Sequence, residues 1–248
     1  MDVSSTYISI VVPAKNEADN IGALVNEIMA HLSSHYQFEI IYVDDGSTDL
    51  TKQKVLALMS AYPQTVRLIQ HAHTAGQSAA IHTGVNHASG ELIVTIDADG
   101  QNNPADIVKL IQTAENLPKD VHFCVAGYRK QRKDTAWKRL QSRVANSVRA
   151  KLLGDDTPDT GCGLKVIPRS TFLLLPYFDH MHRYLPALIQ RIGGNVVVVE
   201  VGHRDRLHGE SKYGMWGRLC AGLVDMIGVM WLQRRNRLPI VKELFPGE

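Results

Sequence analysis

Short β-rich runs alternate with helical patterns through the first half of the chain, and this alternation restricts the fold more than any other feature. Tyr7 to Val12 (YISIVV), Phe38 to Val43 (FEIIYV), Val66 to Gln70 and Leu92 to Ile96 read as strands. Between the first two, Ile21, Leu24, Val25, Ile28 and Leu32 recur at helical spacing. A second helix is expected to open near Ser47 and Thr48 and to carry Val55, Leu56 and Met59, and a third to run from about Gln77 to His87. Asn103 and Pro104 supply a cap and a first-turn proline for a fourth, through Leu110 and Ile111. Strands separated by helices of this length form βαβ units, so the expected class is α/β with a mostly parallel central sheet flanked by helices. After a further strand at Val121 to Tyr128 come a basic helix-like stretch, 132–153, and a turn-rich segment from Gly154 to Gly163. Strands at Leu164 to Ile167 and Asn195 to Val201 follow, with helices at about Arg169 to Leu175 and His182 to Ile192. Without a linker or repeat, one domain over 1–214 with a C-terminal amphipathic extension over 215–248 is expected.

The 248 residues carry 27 Lys plus Arg against 25 Asp plus Glu, a net charge of +2 that excludes a globally basic polyanion binder. Between Arg129 and Lys151, however, nine basic residues face one acid, Asp134, a local +8 that points to an anion site. Cys124, Cys162 and Cys220 stand far apart in no C-x-x-C spacing, which suits packing roles in a reducing compartment. The polar start, Met1-Asp-Val-Ser-Ser, lacks the pattern of a signal peptide, so a cytoplasmic location is expected. Leu219 to Leu232 is apolar but is interrupted by Asp225, short of the ~20 apolar residues a membrane span needs. With Trp216, Trp231 and the basic run 233–237, the stretch suits a helix lying in a membrane interface, and it equally suits a terminal helix packed on the core or a dimer contact.

In open α/β sheets ligands bind beyond the carboxyl ends of the strands. Here those ends are polar and acidic: Pro13-Ala-Lys-Asn-Glu17 after the first strand, Asp44-Asp45-Gly-Ser-Thr-Asp49 after the second, and Asp97-Ala-Asp99-Gly-Gln101 after the fourth. No glycine-rich phosphate loop follows any strand, so neither a dinucleotide fingerprint nor a Walker site is present. Asp97 and Asp99, two residues apart, can converge on one divalent cation that also takes diphosphate oxygens. Asp44 and Asp49 are read as turn-shaping residues. His71-x-His73 and His180-x-His182 lack cysteine or carboxylate neighbours at zinc spacing and are read as surface or hydrogen-bonded histidines.

The ordered combination of P-A-K-N-E, V-D-D-G-S-T-D and D-A-D-G-Q resembles the inverting glycosyltransferases of family 2 with the GT-A fold, over roughly the first 130 residues. The resemblance implies that Pro13, Lys15, Glu17, Val43 and Asp45 hold the nucleotide. It implies that Asp97, Asp99 and Gln101 hold Mg²⁺ or Mn²⁺ and the diphosphate, with Ala98 as a backbone contact. Lys15 departs from the aromatic residue common at that position. Gly127-Tyr-Arg129, Ser142-Arg143-x-x-x-Ser147 and Arg206-Leu-His-Gly-Glu-Ser-Lys212 resemble the dolichol-phosphate mannose synthase type. G-Q-S-A-A-I from Gly76 and D-T-G-C-G-L-K from Asp159 look closer to bacterial undecaprenyl-phosphate sugar transferases of lipid A modification. The resemblance therefore implies a nucleotide-sugar donor and a polyprenyl phosphate acceptor, the latter met through Arg129, Arg143 and Ser147. Arg206 and Lys212 would contact the donor, and 215–237 would make peripheral contact with the inner face of the cytoplasmic membrane.

Elementary chemistry supports the same assignment. A lipid phosphate is already ionised at neutral pH and needs no general base, only cations that bring two anionic groups to one anomeric carbon. Asp99, Arg129 and Arg143 are the candidate catalytic groups. Transfer to a sugar or protein hydroxyl would instead need a carboxylate base, for which Asp156 or Asp159 could serve. A nucleotidyltransferase would release pyrophosphate from the same carboxylates. A nucleic-acid-binding module would bind in a strongly salt-dependent way; with only Tyr128 and Trp137 near the basic stretch to stack bases, no nucleic acid partner is expected.

Overall fold

The computed structural model describes residues 4–129, 149–155, 157–204 and 215–236, with side chains from residue 6 and, in the last segment, from residue 222. Its strands are β1 (Ser4–Ala14), β2 (Tyr36–Asp44), β3 (Val66–Gln70), β4 (Leu92–Thr95), β5 (Phe123–Tyr128), β6 (Lys165–Pro168) and β7 (Asn195–Glu200). Its helices are α1 (Ala18–Leu32), α2 (Thr51–Ala61), α3 (Gln77–Asn86), α4 (Ala105–Glu115), α5 (Arg169–Leu173), α6 (Leu185–Arg191) and α7 (Met215–Arg234), with a 3-10 turn at Met181–Arg183. Of the basic stretch, residues 149–153 are described, and they are helical.

The seven strands form one sheet in the order β3-β2-β1-β4-β6-β5-β7. Every pairing is parallel except those of β6, which runs against β4 and β5. The carboxyl ends of β1 to β5 and β7 therefore share one edge, and the reversed β6 brings its first residue, Lys165, to that edge. The chain leaves β1 towards β2 on one side and returns to β4 on the other, which opens a crevice between β1 and β4.

Period-two alternation along the strands feeds two cores. Ile8, Ile10 and Val12 of β1 pack with Ile21, Leu24 and Ile28 of α1 and with Ile107 and Ile111 of α4. Val11, Ile41 and Val43 face the other way, onto Ala80, Ile81 and Val85 of α3, Phe172 of α5 and Leu188 of α6. Val229 of α7 is fully buried in this second core, while Leu223, Val224, Ile227 and Trp231 of the same helix are exposed. No helix of the described residues is long and apolar enough to cross a membrane.

Some boundaries differ from the sequence expectation. Helix α2 starts at Thr51 and not near Ser47 because residues 47–51 are tied to the loop after β1. Thr48 N donates to Asn16 Oδ1 at 2.8 Å, and Asn16 N to Ser47 Oγ at 2.9 Å. The helix expected from His182 opens as the 3-10 turn and becomes α-helical at Leu185, where Pro186 sits in the first turn. Pro104, expected in the first turn of α4, stands at its cap position, and Asn103 just before it accepts Ala105 N on its Oδ1 at 3.2 Å.

Candidate active site

The loops after β1 and β2 are built as one unit. Asp44 is fully buried and accepts Ser47 N at 3.0 Å and Gln70 Nε2 at 3.1 Å, and Asp49 accepts Ala18 N at 3.2 Å and Thr51 N at 2.9 Å. Both carboxylates thus shape the turn after β2, as their positions suggested. Glu17 N donates to Thr51 Oγ1 at 2.9 Å, while the Glu17 carboxylate accepts Asn20 Nδ2 at 2.7 Å.

Asp45, at the end of β2, is the hub of the neighbouring loop 71–76. Its Oδ1 takes His71 Nδ1 at 2.8 Å and Ala75 N at 2.7 Å; its Oδ2 takes Thr74 Oγ1 at 2.7 Å and Gly76 N at 2.9 Å. Burial alone would raise the Asp45 pKa, but these four donors outweigh it and hold the carboxyl below the usual range. Lys15 Nζ adds a bond to Thr74 Oγ1 at 2.9 Å, so the loop after β1 also clasps this segment. Gly76 has φ +94, a conformation that only glycine adopts without strain, and it delivers the chain into α3.

At the first residue of α3, Gln77 Nε2 donates to Asp97 Oδ1 at 2.8 Å. A Cβ on Gly163 would fall well inside van der Waals contact of the Asp97 carboxylate, so glycine is needed there for Asp97 to take its place. Burial, and then the negative charge of Asp99, push the Asp97 pKa up to about 6, against Lys165, Arg129 and Gln77. Asp99 is 8% exposed, and its Oδ1 accepts Gln101 N at 3.1 Å. Two carboxylates whose mutual charge is under-compensated are what a hard divalent cation relieves, and two carboxylates, an amide and substrate oxygens suit Mg²⁺ or Mn²⁺. Among the described residues no group of three or more His, Cys, Asp or Glu gathers as an all-protein metal cage.

Lys165, 3% exposed, donates to the carbonyls of Thr160, at 3.3 Å, and Cys162, which places a buried cation near the Asp97 pair. Arg129, just past β5, makes a two-pronged pair with Asp159: Nε to Oδ2 at 2.6 Å and Nη2 to Oδ1 at 2.9 Å. Beyond the sheet edge, Arg204 N donates to Gln101 O at 2.9 Å, and its guanidinium reaches Glu27 and Asn103, both at 2.7 Å. The chain leading towards Arg206 is thereby pinned to the loop that carries Asp97 and Asp99.

Pro13 and Val43, at the ends of β1 and β2, and Lys15, Glu17, Asp45, Asp97, Ala98, Asp99, Gln101 and Arg129, on the segments that follow the strands, thus stand at one edge of the sheet. Arg143, Ser147, Arg206, Lys212 and the alternative base Asp156 lie outside the described residues. The sequence reading missed Gln77, Lys165, Gly163 and the bracing of Asp45 by His71. The first three sit inside motifs it had singled out, whereas nothing in the spacing of His71 marks its partner.

A mostly parallel sheet with an Asp-x-Asp pair beside its switch point is the architecture of GT-A glycosyltransferases, and solved structures of that class superpose on it. Mannosyl-3-phosphoglycerate synthase from Rubrobacter xylanophilus matches with a TM-score of 0.71 at 19% identity, covering 98% of this chain and 78% of that one. A mannosyltransferase from Pyrobaculum calidifontis, in complex with GDP-Man and Mn²⁺, matches with 0.67 at 19% identity, covering 96% and 68%. Residues 9–173 match glycosyl transferase family 2, and the chain belongs to that family. It is 33% identical to dodecaprenyl-phosphate galacturonate synthase of Rhizobium johnstonii over 241 residues, 96% of this chain and 70% of that protein. It is 31% identical to undecaprenyl-phosphate 4-deoxy-4-formamido-L-arabinose transferase of Edwardsiella ictaluri, over 84% of this chain and 63% of that protein.

Proposed function

We propose that this glycosyltransferase moves a sugar from a nucleoside-diphosphate sugar to a polyprenyl phosphate, with inversion at the anomeric carbon. The observation that carries the reading is the pairing of Arg129 with Asp159 beside the Asp97 and Asp99 carboxylates. Of Asp156 and Asp159, the two carboxylates considered as a base for a hydroxyl acceptor, Asp159 is engaged by a guanidinium, and the Arg129 and Lys165 cations stand near the donor carboxylates. A phosphate acceptor needs that arrangement and no base. The names of the two curated relatives, both polyprenyl-phosphate sugar transferases, support the same acceptor.

In this reading Pro13, Lys15, Glu17, Val43 and Asp45 hold the nucleotide, with Asp45 bracing the 71–76 loop, and Ala98 contributes backbone. Asp97, Asp99 and Gln101 would hold Mg²⁺ or Mn²⁺, which when bound neutralises the diphosphate leaving group. Gln77 and Gly163 orient Asp97. Arg129, with Arg143 and Ser147, takes the acceptor phosphate, and Arg206 and Lys212 contact the donor. The acceptor oxygen attacks the anomeric carbon in line, the bond to the diphosphate breaks, and a nucleoside diphosphate leaves. The sugar is a hexose in this reading, with a hexuronate or a pentose, as in the names of the two relatives, as the competing outcomes. Helix α7 opens the 215–248 extension of the 1–214 catalytic domain and is packed on that domain's second core through Val229. The exposed Leu223, Val224, Ile227 and Trp231, with Arg234 and Arg235 beyond them, set α7 on the inner face of the cytoplasmic membrane.

Incubation with undecaprenyl phosphate, Mg²⁺ or Mn²⁺ and a panel of UDP- and GDP-sugars, read by mass spectrometry, tests this. A glycosylated lipid phosphate that is absent with Asp99→Ala is expected. Nucleoside diphosphate release that needs a soluble hydroxyl acceptor, or pyrophosphate as product, would overturn it.

A further inference from the structure

Behind the site runs a charged network that no substrate role accounts for. Arg149 is 7% exposed and Asp155 fully buried. The Arg149 guanidinium donates to the carbonyl of Thr157 and the hydroxyl of Thr160, and its Nε lies 3.4 Å from Asp155 Oδ2. Asp155 Oδ1 in turn accepts Thr157 N at 2.9 Å. Arg149 thus bonds Thr157 and Thr160 and pairs more loosely with Asp155, and Lys165 grips the segment beyond them through the Thr160 and Cys162 carbonyls. Between these anchors stands Asp159, whose carboxylate carries Arg129. At the end of the segment Gly163 makes room for Asp97.

We propose that Arg149, with Asp155, is a positioning residue for the transfer reaction: it holds the turn from Thr157 to Thr160 in the register that sets Asp159, and through it the Arg129 guanidinium, beside Asp97. This deepens the proposed function and rests on its reading of Arg129 as an acceptor-phosphate contact. The physical case is one of geometry. A buried Arg–Asp pair adds little stability over apolar side chains of the same size, because desolvating two charges offsets their attraction. What the pair does supply is a fixed conformation. A planar guanidinium can satisfy a carbonyl, a hydroxyl and a carboxylate at set angles, which neither an ammonium nor an apolar side chain can do. The turn has little apolar content to hold it by packing, and it joins the metal-binding carboxylate to the acceptor cation. A shift of about 1 Å between two such groups costs roughly 10²-fold in rate.

The test uses the full chain with Arg149→Met, Asp159→Asn and the double variant. The Arg129 Nε–H resonance of ¹⁵N-labelled protein, assigned by its loss in Arg129→Lys, reports the Arg129–Asp159 pair without any turnover. In Arg149→Met, studied below its melting transition because the buried Asp155 left without its partner lowers stability, that resonance is expected to shift or broaden. The kcat/KM for polyprenyl phosphate should fall about 10²-fold, with the donor KM within about threefold of the parent. Asp159→Asn with Arg149→Met should be no worse than Asp159→Asn alone, since both act through one link. An unchanged Arg129 resonance, or losses that multiply in the double variant, would overturn the proposal. Should Arg149→Met not accumulate as folded protein, Arg149→Lys, which keeps the charge and loses the fork, is read by the same criteria. If the parent protein makes no lipid product, it is the acceptor reading that fails, and the resonance still decides the role of Arg149.

Discussion

Asp97 shows how one buried side chain can be set against the stability of the fold that holds it. Its carboxyl protonates at about 6 in the folded protein, raised by burial first and by Asp99 second, whereas in the unfolded chain it titrates in the ordinary range near 4. The folded state therefore holds the extra proton between those values, so stability falls as pH rises through that window, and the ionised carboxylate is a liability at pH 7. Asp97→Asn is expected to raise the melting temperature at neutral pH by a few degrees, corresponding to about 1 kcal/mol or more, while abolishing Mn²⁺ binding by calorimetry. In the parent protein Mn²⁺ affinity should weaken as pH drops below about 6, where proton and cation compete. Gly163→Ala attacks the same carboxylate sterically: its methyl would displace Asp97, and transfer should fall by about 10²-fold with circular dichroism unchanged. The carboxylates themselves were legible from their place after a strand. The glycine under Asp97 was not, because the two meet only once β4 and β6 pair.

Among the elements, the loop 71–76 has no regular structure of its own and depends on the Asp45 hub. His71 joins Asp45 to Thr83 of α3, with Nε2 3.0 Å from the threonine hydroxyl, so the loop is fastened to both β2 and α3. His71→Ala is expected to loosen it, raising the donor KM about tenfold with a smaller change in kcat, as steady-state kinetics would show. The strands and long helices could be read in advance because their apolar spacing is local. The late start of α2 could not, since it is set by Asn16 across the sheet edge.

At the scale of the whole molecule, two features tie acidity and surface to the fold. His182 lies against Ser78, with Nδ1 2.7 Å from Oγ, and burial followed by the charges of Arg183, Lys165 and His180 lowers its pKa to about 3. The unfolded chain, with an ordinary imidazole near 6.5, binds the proton first. Stability is therefore lost as pH falls from about 6.5 towards 3, at up to about 1.4 kcal/mol per pH unit for this group. Asp97 gives the opposite slope below about pH 6, so the share of His182 is read by difference: as pH falls from 7 to 5, the urea midpoint of His182→Gln should rise relative to that of the parent. The second feature is α7, whose inner side is buried at Val229 and bonded through Asp225 to His180 at 3.0 Å, and through Gln233 to the Leu153 carbonyl at 2.8 Å. Replacing the exposed Leu223, Ile227 and Trp231 by serine should leave the melting temperature within about 1 °C and abolish co-sedimentation with anionic phospholipid vesicles.

The order of strands and helices, and the delivery of acidic loops to one sheet edge, follow from local periodicity and from the handedness of βαβ connections, and both are written along the chain. The reversed strand β6, the fork between Arg129 and Asp159, and the bracing of Asp45 by His71 belong to tertiary structure alone. Each joins residues that have no periodic relation in sequence, and a carboxylate's partner is chosen by which donors the packed sheet brings within about 3 Å.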